Sequence, residues 1–121
     1  MSNRHELKRA YQERKKRAGV FQIKNKHNNK ILLGSSLNID GPLNAHFFLL
    51  KIGSHTNREL QADWNHYGAD AFDSEILALV PEEIEGHQVA EELGLLEELW
   101  LDELQPFAER GYNNNRKIRQ A

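Results

Sequence analysis

Residues 19–36 read Gly-Val-Phe-Gln-Ile-Lys-Asn-Lys-His-Asn-Asn-Lys-Ile-Leu-Leu-Gly-Ser-Ser, and this stretch constrains the fold more than any other. Two runs rich in β-branched and large apolar residues, 20–23 and 31–33, flank a polar centre, which predicts a β-hairpin. Asn tolerates the positive φ of a tight primed turn, so Asn28-Asn29 is the expected turn. Gly19 and Gly34 bracket the unit where backbone or a ligand approaches closely.

The rest of the chain is predicted around that hairpin. Residues 4–17 form a basic helix whose narrow apolar stripe holds Leu7, Ala10 and Tyr11. Residues 37–42 are a loop leading into a helix that accepts Pro42 in its first turn and gathers Leu43, Phe47 and Leu50 on one face. Gly53 stops that helix, and residues 54–57 supply caps for the next, at 58–67, which buries Leu60 and Trp64 and ends at Gly68. Residues 72–80 read as a central strand ended by Pro81. The last helix spans 88–104, and its 3.6-residue period sets Glu97 among Ala90, Leu93, Trp100, Leu101 and Leu104. A carboxylate on such a stripe needs a cation, a metal, hydrogen-bond donors or a path to water. The expected organisation is a basic amino-terminal helix over 1–17, one domain over 18–113 and a basic tail over 114–121.

Net charge is only −2 over 121 residues, but it is segregated. Residues 4–30 hold ten Lys and Arg against Glu6 and Glu13, while 59–109 hold none. Arg14, Lys15, Lys16, Arg17, Lys24, Lys26 and Lys30 are thus candidates for contact with a nucleic-acid backbone, with a solvated charged face as the alternative. The absence of cysteine excludes disulfides and thiolate zinc sites. No apolar run nears the roughly 20 residues of a bilayer-crossing helix. The first residues also lack a secretory signal, so the expectation is a cytoplasmic protein with no membrane partner.

Gly19-Val20-Phe21 and Leu32-Leu33-Gly34 stand where the GIY-YIG nucleases carry Gly-Ile-Tyr and Tyr-Ile-Gly. Ser35-Ser36, Gly53-Ser54-His55, residues 60–65, Tyr67-Gly68, Phe72, residues 97–101 and Gly111-Tyr112-Asn113 follow in the order of one branch of that family. The chain therefore resembles the GIY-YIG family over roughly residues 18–113. The resemblance implies an α+β domain with a small antiparallel three-stranded sheet, the hairpin plus one later strand, flanked by helices. It also implies hydrolysis of DNA phosphodiester bonds with one divalent metal, Mg²⁺ or Mn²⁺, held at the position of Glu97. His46, His55 and Asn113 match family catalytic positions, and Phe21, Leu32, Gly34, Ser35 and Ala45 are expected to line the site.

Departures from the pattern fall on the chemistry. Phe21 and Leu32 replace the two tyrosines, and neither can donate or accept a proton. The family arginine is absent: its position by the general pattern is Pro42, and in the branch that this chain resembles it is Ala45. Two nucleic-acid functions stay open, with one alternative outside that class. One is a metal-dependent endonuclease in which Glu97 holds the metal and His46 performs the proton transfers. The other is a catalytically silent nucleic-acid-binding module of the same fold. A protein-interaction domain that offers its acidic middle to a basic partner is a third. A domain of this size is expected to follow the backbone rather than a long sequence, alone, as a homodimer or beside a partner.

Overall fold

The computed structural model describes residues 17–114. Its elements are β1 (Gly19–Asn25), β2 (Ile31–Ser36), α1 (Asp40–Lys51), α2 (Arg58–Tyr67), a 3₁₀ turn (Ala69–Ala71), β3 (Phe72–Leu79), α3 (Gln88–Leu104) and a second 3₁₀ turn (Ala108–Arg110). The three strands form one antiparallel sheet in the order β2-β1-β3, the α+β architecture expected. The predicted helix over 1–17 lies outside the described residues except for Arg17, which is not helical, and the tail is described only at Asn114. Among the described residues, no helix is long and apolar enough to cross a membrane.

Two expectations need correction. The 72–80 segment forms an edge strand, not a central one. The centre belongs to β1, where every residue is buried or half-buried, whereas Asp73, Ser74 and Glu75 of β3 face solvent. A register shift between Val20 and Phe21 leaves Leu77 without a direct β1 partner, so Ile76 pairs with Phe21 while Leu77 packs at the margin of the Val20 cluster. The hairpin connection is also longer than a two-residue turn. The Asn29 N–H donates to the Asn25 carbonyl at 2.7 Å, and Asn29 alone adopts a positive φ, 66°. Asn28 is held by its side chain instead, donating to Asp63 at 3.2 Å and accepting from the Lys30 N–H at 2.9 Å.

Local signals place the helices as predicted. The Asn57 side chain accepts from the Leu60 N–H at 3.0 Å to cap α2, and Gly68 leaves it with φ 91°. Gly53, with φ 77°, follows the end of α1. Because successive β1 side chains alternate, the sheet packs on both faces. Ile23 joins Leu50, Leu60, Trp64, Phe72 and Tyr112 beneath α1 and α2, with Leu32, Leu43 and Phe47 at the margin. Val20 joins Leu33, Leu93 and Leu101 beneath α3.

Candidate active site

The hairpin forms the floor of the site. Phe21 is buried, and its ring occupies the space over Gly34: a Cβ on Gly34 would stand 2.5 Å from Phe21 Cζ. Its other neighbour is His46 of α1, at 5.7 Å between ring centroids. Leu32, two pairs further along the hairpin, packs at the margin of the α1 and α2 core. Both substituted hairpin positions are therefore apolar wall. Ser35 is half-buried opposite Val20, while Ala45 is exposed on α1.

His46 and His55 form a direct pair, with His46 Nδ1 2.7 Å from His55 Nε2 and nearly parallel rings. The loop between α1 and α2 holds His55 from several sides. Its Nδ1 accepts from the Asn57 N–H at 2.9 Å, and its own N–H donates to Gln61 Oε1 at 3.0 Å. Gln61 in turn donates to the Leu50 carbonyl at 3.1 Å and to Asn65 at 3.0 Å, tying the loop to both helices. Burial lowers the pKa of His46, and the neighbouring His55 lowers it further. Burial likewise lowers that of His55.

Asn113 acts on the other edge of β2. Its Oδ1 accepts from the Leu33 N–H at 2.8 Å and its Nδ2 donates to the Leu33 carbonyl at 2.9 Å. The amide thus imitates a paired strand residue and holds β2 in place, so its contribution is to the shape of the site.

Glu97 is half-buried on α3, the helix that covers Val20 and Leu33. Its carboxylate has no hydrogen bond or ion pair with another described residue, and among these residues no group of three or more His, Asp or Glu could cage a metal. The site therefore offers a single carboxylate. The structure brings Phe21, Gly34, His46 and His55 into contact, but no bond connects them to Glu97 or Asn113.

The cationic candidates are partly engaged. Arg17 pairs with Asp40 at 2.7 Å, Lys26 with Asp73 at 3.6 Å and Lys30 with Glu59. Lys24 lines an open polar depression with Gln22, Lys26, Asn29, Asp73, Ser74 and Glu75. Arg14, Lys15 and Lys16 lie outside the described residues.

A network beside the site was not predicted as a unit. The Tyr112 hydroxyl donates to Asp63 at 2.6 Å and accepts from Asn25 Nδ2 at 3.2 Å, while Asn57 Nδ2 donates to the Tyr112 carbonyl at 2.7 Å. Burial, and then the Asp63 carboxylate, push the Tyr112 pKa up. This phenol joins the closing segment to the hairpin and to α2. Asn25, a polar residue ending an apolar strand, was the sequence signal for it.

No protein-family model matches the chain. A curated relative, Intron-associated endonuclease 1 of Enterobacteria phage T4, is 36% identical over 67 residues, or 55% of this chain and 27% of the phage protein's length. The solved catalytic domain of the homing endonuclease I-TevI is 33% identical at a TM-score of 0.61, over 79% of this chain and 96% of that domain. A glutamate-to-alanine mutant of the catalytic domain of intron endonuclease I-TevI gives 32% identity and a TM-score of 0.61, over 80% of this chain and 92% of the other.

Proposed function

The chain belongs to the GIY-YIG nuclease family, and from that membership we propose that it is a metal-dependent nuclease domain acting on DNA phosphodiester bonds. The observation that carries the reading is the His46–His55 pair against the hairpin. Packing alone would be served better by two apolar residues, because burying imidazoles costs hydration. A buried imidazole bonded directly to a half-buried one is a common mark of a functional site.

Glu97 is the residue proposed to hold the cation. One carboxylate suits a hydrated Mg²⁺ or Mn²⁺, which keeps several waters and completes its shell on substrate phosphate. Bound there, the ion would polarise the phosphate and stabilise the leaving oxygen. His46, on α1, is the residue proposed to meet the phosphate or the attacking water. His55 orients it, Asn113 holds β2, and Phe21 and Leu32 keep water from the floor. Each missing hydroxyl or guanidinium removes a charge-stabilising donor, typically about a hundredfold to a thousandfold in rate. The expected enzyme is slow. A second copy or a partner protein would supply the surface for longer sites.

The buried Phe21 ring favours a second reading, a catalytically silent nucleic-acid-binding module. The two separate in one experiment. The purified chain is incubated with single- and double-stranded DNA and Mg²⁺ or Mn²⁺, beside Glu97→Ala. Cutting that disappears in Glu97→Ala establishes the nuclease. Salt-sensitive binding without cutting, also in Ala45→Arg, whose exposed position accepts the longer side chain, leaves the silent module.

A further inference from the structure

We propose that His55 fixes the tautomer of His46, so that His46 meets the phosphate as a neutral hydrogen-bond donor through Nε2–H and not as a general base. The proposal rests on the phosphodiester reading above and specifies how the pair works within it.

The assignment follows from one main-chain donor. The Asn57 N–H points at His55 Nδ1 at 2.9 Å, so that nitrogen must be the acceptor and the His55 proton must sit on Nε2. His55 Nε2–H then donates to His46 Nδ1 at 2.7 Å. This occupies the Nδ1 lone pair, and the His46 proton must sit on Nε2. The opposite arrangement would turn His55 Nδ1–H towards the Asn57 N–H, two donors facing each other. A backbone amide cannot change tautomer, so the order is set from the loop outward.

The outer end of the pair is open. No described residue accepts from His46 Nε2–H, and His46 is half-exposed on α1. The Phe21 ring, 5.7 Å from the His46 ring between centroids, offers no competing acceptor, and Ala45, the preceding residue, offers no charge. A fixed N–H aimed at a non-bridging phosphate oxygen stabilises the charge that grows there without reorganising. It takes up part of the task that the resemblance assigns to an arginine, and no proton needs to leave the ring. A neutral imidazole is suited to this role because its proton is not lost at working pH. His55 is accordingly a positioning residue, which acts through His46.

The test is long-range ¹H–¹⁵N correlation of the histidine side chains in the full chain at pH 7.5, followed by titration with a short DNA oligonucleotide without metal. Both rings are expected as Nε2–H tautomers with bare Nδ1, and the His46 Nε2–H resonance is expected to shift on DNA addition. His55→Ala should release His46 into a tautomer mixture. His55→Gln, whose amide can accept from Asn57 and donate to His46, should restore the single form. In cleavage, His46→Gln keeps a donor but no base and should remain within about tenfold of wild type, whereas His46→Ala should lose about a hundredfold or more. A His46 Nδ1–H tautomer, an Nε2–H resonance unmoved by saturating DNA, or His46→Gln as slow as His46→Ala would each overturn the proposal. Failure of the wild-type chain to cut would remove the nuclease reading, and the resonances would still decide whether His46 donates to phosphate.

Discussion

The ring of Phe21 stands where a side chain on Gly34 would have to be, with Cζ 2.5 Å and the two Cε atoms 3.0 and 3.1 Å from the position of a Cβ. His46 lies 5.7 Å away, so the ring has little room to swing aside. Gly34→Ala is therefore expected to overpack the hairpin by about 1–3 kcal/mol. Each kcal/mol lowers the melting temperature of a domain of this size by roughly 4–8 °C. Phe21→Leu should relieve the clash, so the double variant should melt higher than the two single losses added together. Additive losses would show that the ring is not what excludes the Cβ.

Tyr112→Phe removes the hydroxyl that Asn25 donates to and that itself donates to Asp63. Asn25 is fully buried, so its Nδ2 donor has no route to water. The expected cost is about 1–3 kcal/mol, read as a fall in melting temperature. The phenol also has a pH signature. Its pKa is raised in the fold, first by burial and then by Asp63. The stability it contributes is complete below the unfolded value of about 10 and falls as pH rises beyond it, because the unfolded chain loses the proton first. Tyr112→Phe should flatten that alkaline decline, and an unchanged slope would remove Tyr112 as its source.

What could be read in advance depended on how far apart the interacting residues stand. The helix at Arg58–Tyr67 was legible because Asn57 and Gly68, its cap and its stop, are adjacent to it. Gln88–Leu104 was legible through its period. The position of β3 was not, since strand order is decided by which segment can be enclosed on both sides, and that involves every element. Asn25 and Tyr112 are 87 residues apart, and no local pattern joins them. His46 and His55 were marked by resemblance to a family, but their mutual bond depends on how the loop between α1 and α2 turns. Asn28 illustrates the limit. Its propensity suits a tight turn, whereas its side chain bonds a distant residue, Asp63, and the connection is longer.

The histidine pair predicts an acid response of opposite sign to that of Tyr112. Burial lowers both imidazole pKa values, and His55 adds to the effect on His46. The unfolded chain takes up protons near pH 6.5 that the folded pair resists. Stability from the pair is thus complete above that pH and is lost as pH falls through the folded values. The melting temperature should drop between pH 7 and pH 5. The double variant His46→Gln, His55→Gln should drop less over the same interval, and an equal drop would place the titrating groups elsewhere.

DNA affinity should come chiefly from the cations that flank residues 17–114 in the sequence. Residues 17–114 carry seven Lys and Arg against sixteen Asp and Glu, while 1–16 and 115–121 together carry nine against two. Within residues 17–114, Arg17, Lys26 and Lys30 are already beside Asp40, Asp73 and Glu59. The net charge of residues 17–114 opposes a phosphate backbone, and the flanking cations offset it. Neutralising Arg14, Lys15 and Lys16 together to Gln should weaken binding across unrelated DNA sequences. If all three touch phosphates, the slope of log affinity against log salt should become shallower by about 2–3 on double-stranded DNA. Lys26→Gln, which removes a cation already paired with Asp73, should change that slope by much less. Fluorescence anisotropy across a potassium chloride series reads both. An unchanged slope in the triple variant, or a larger change in Lys26→Gln, would move the phosphate contacts onto residues 17–114.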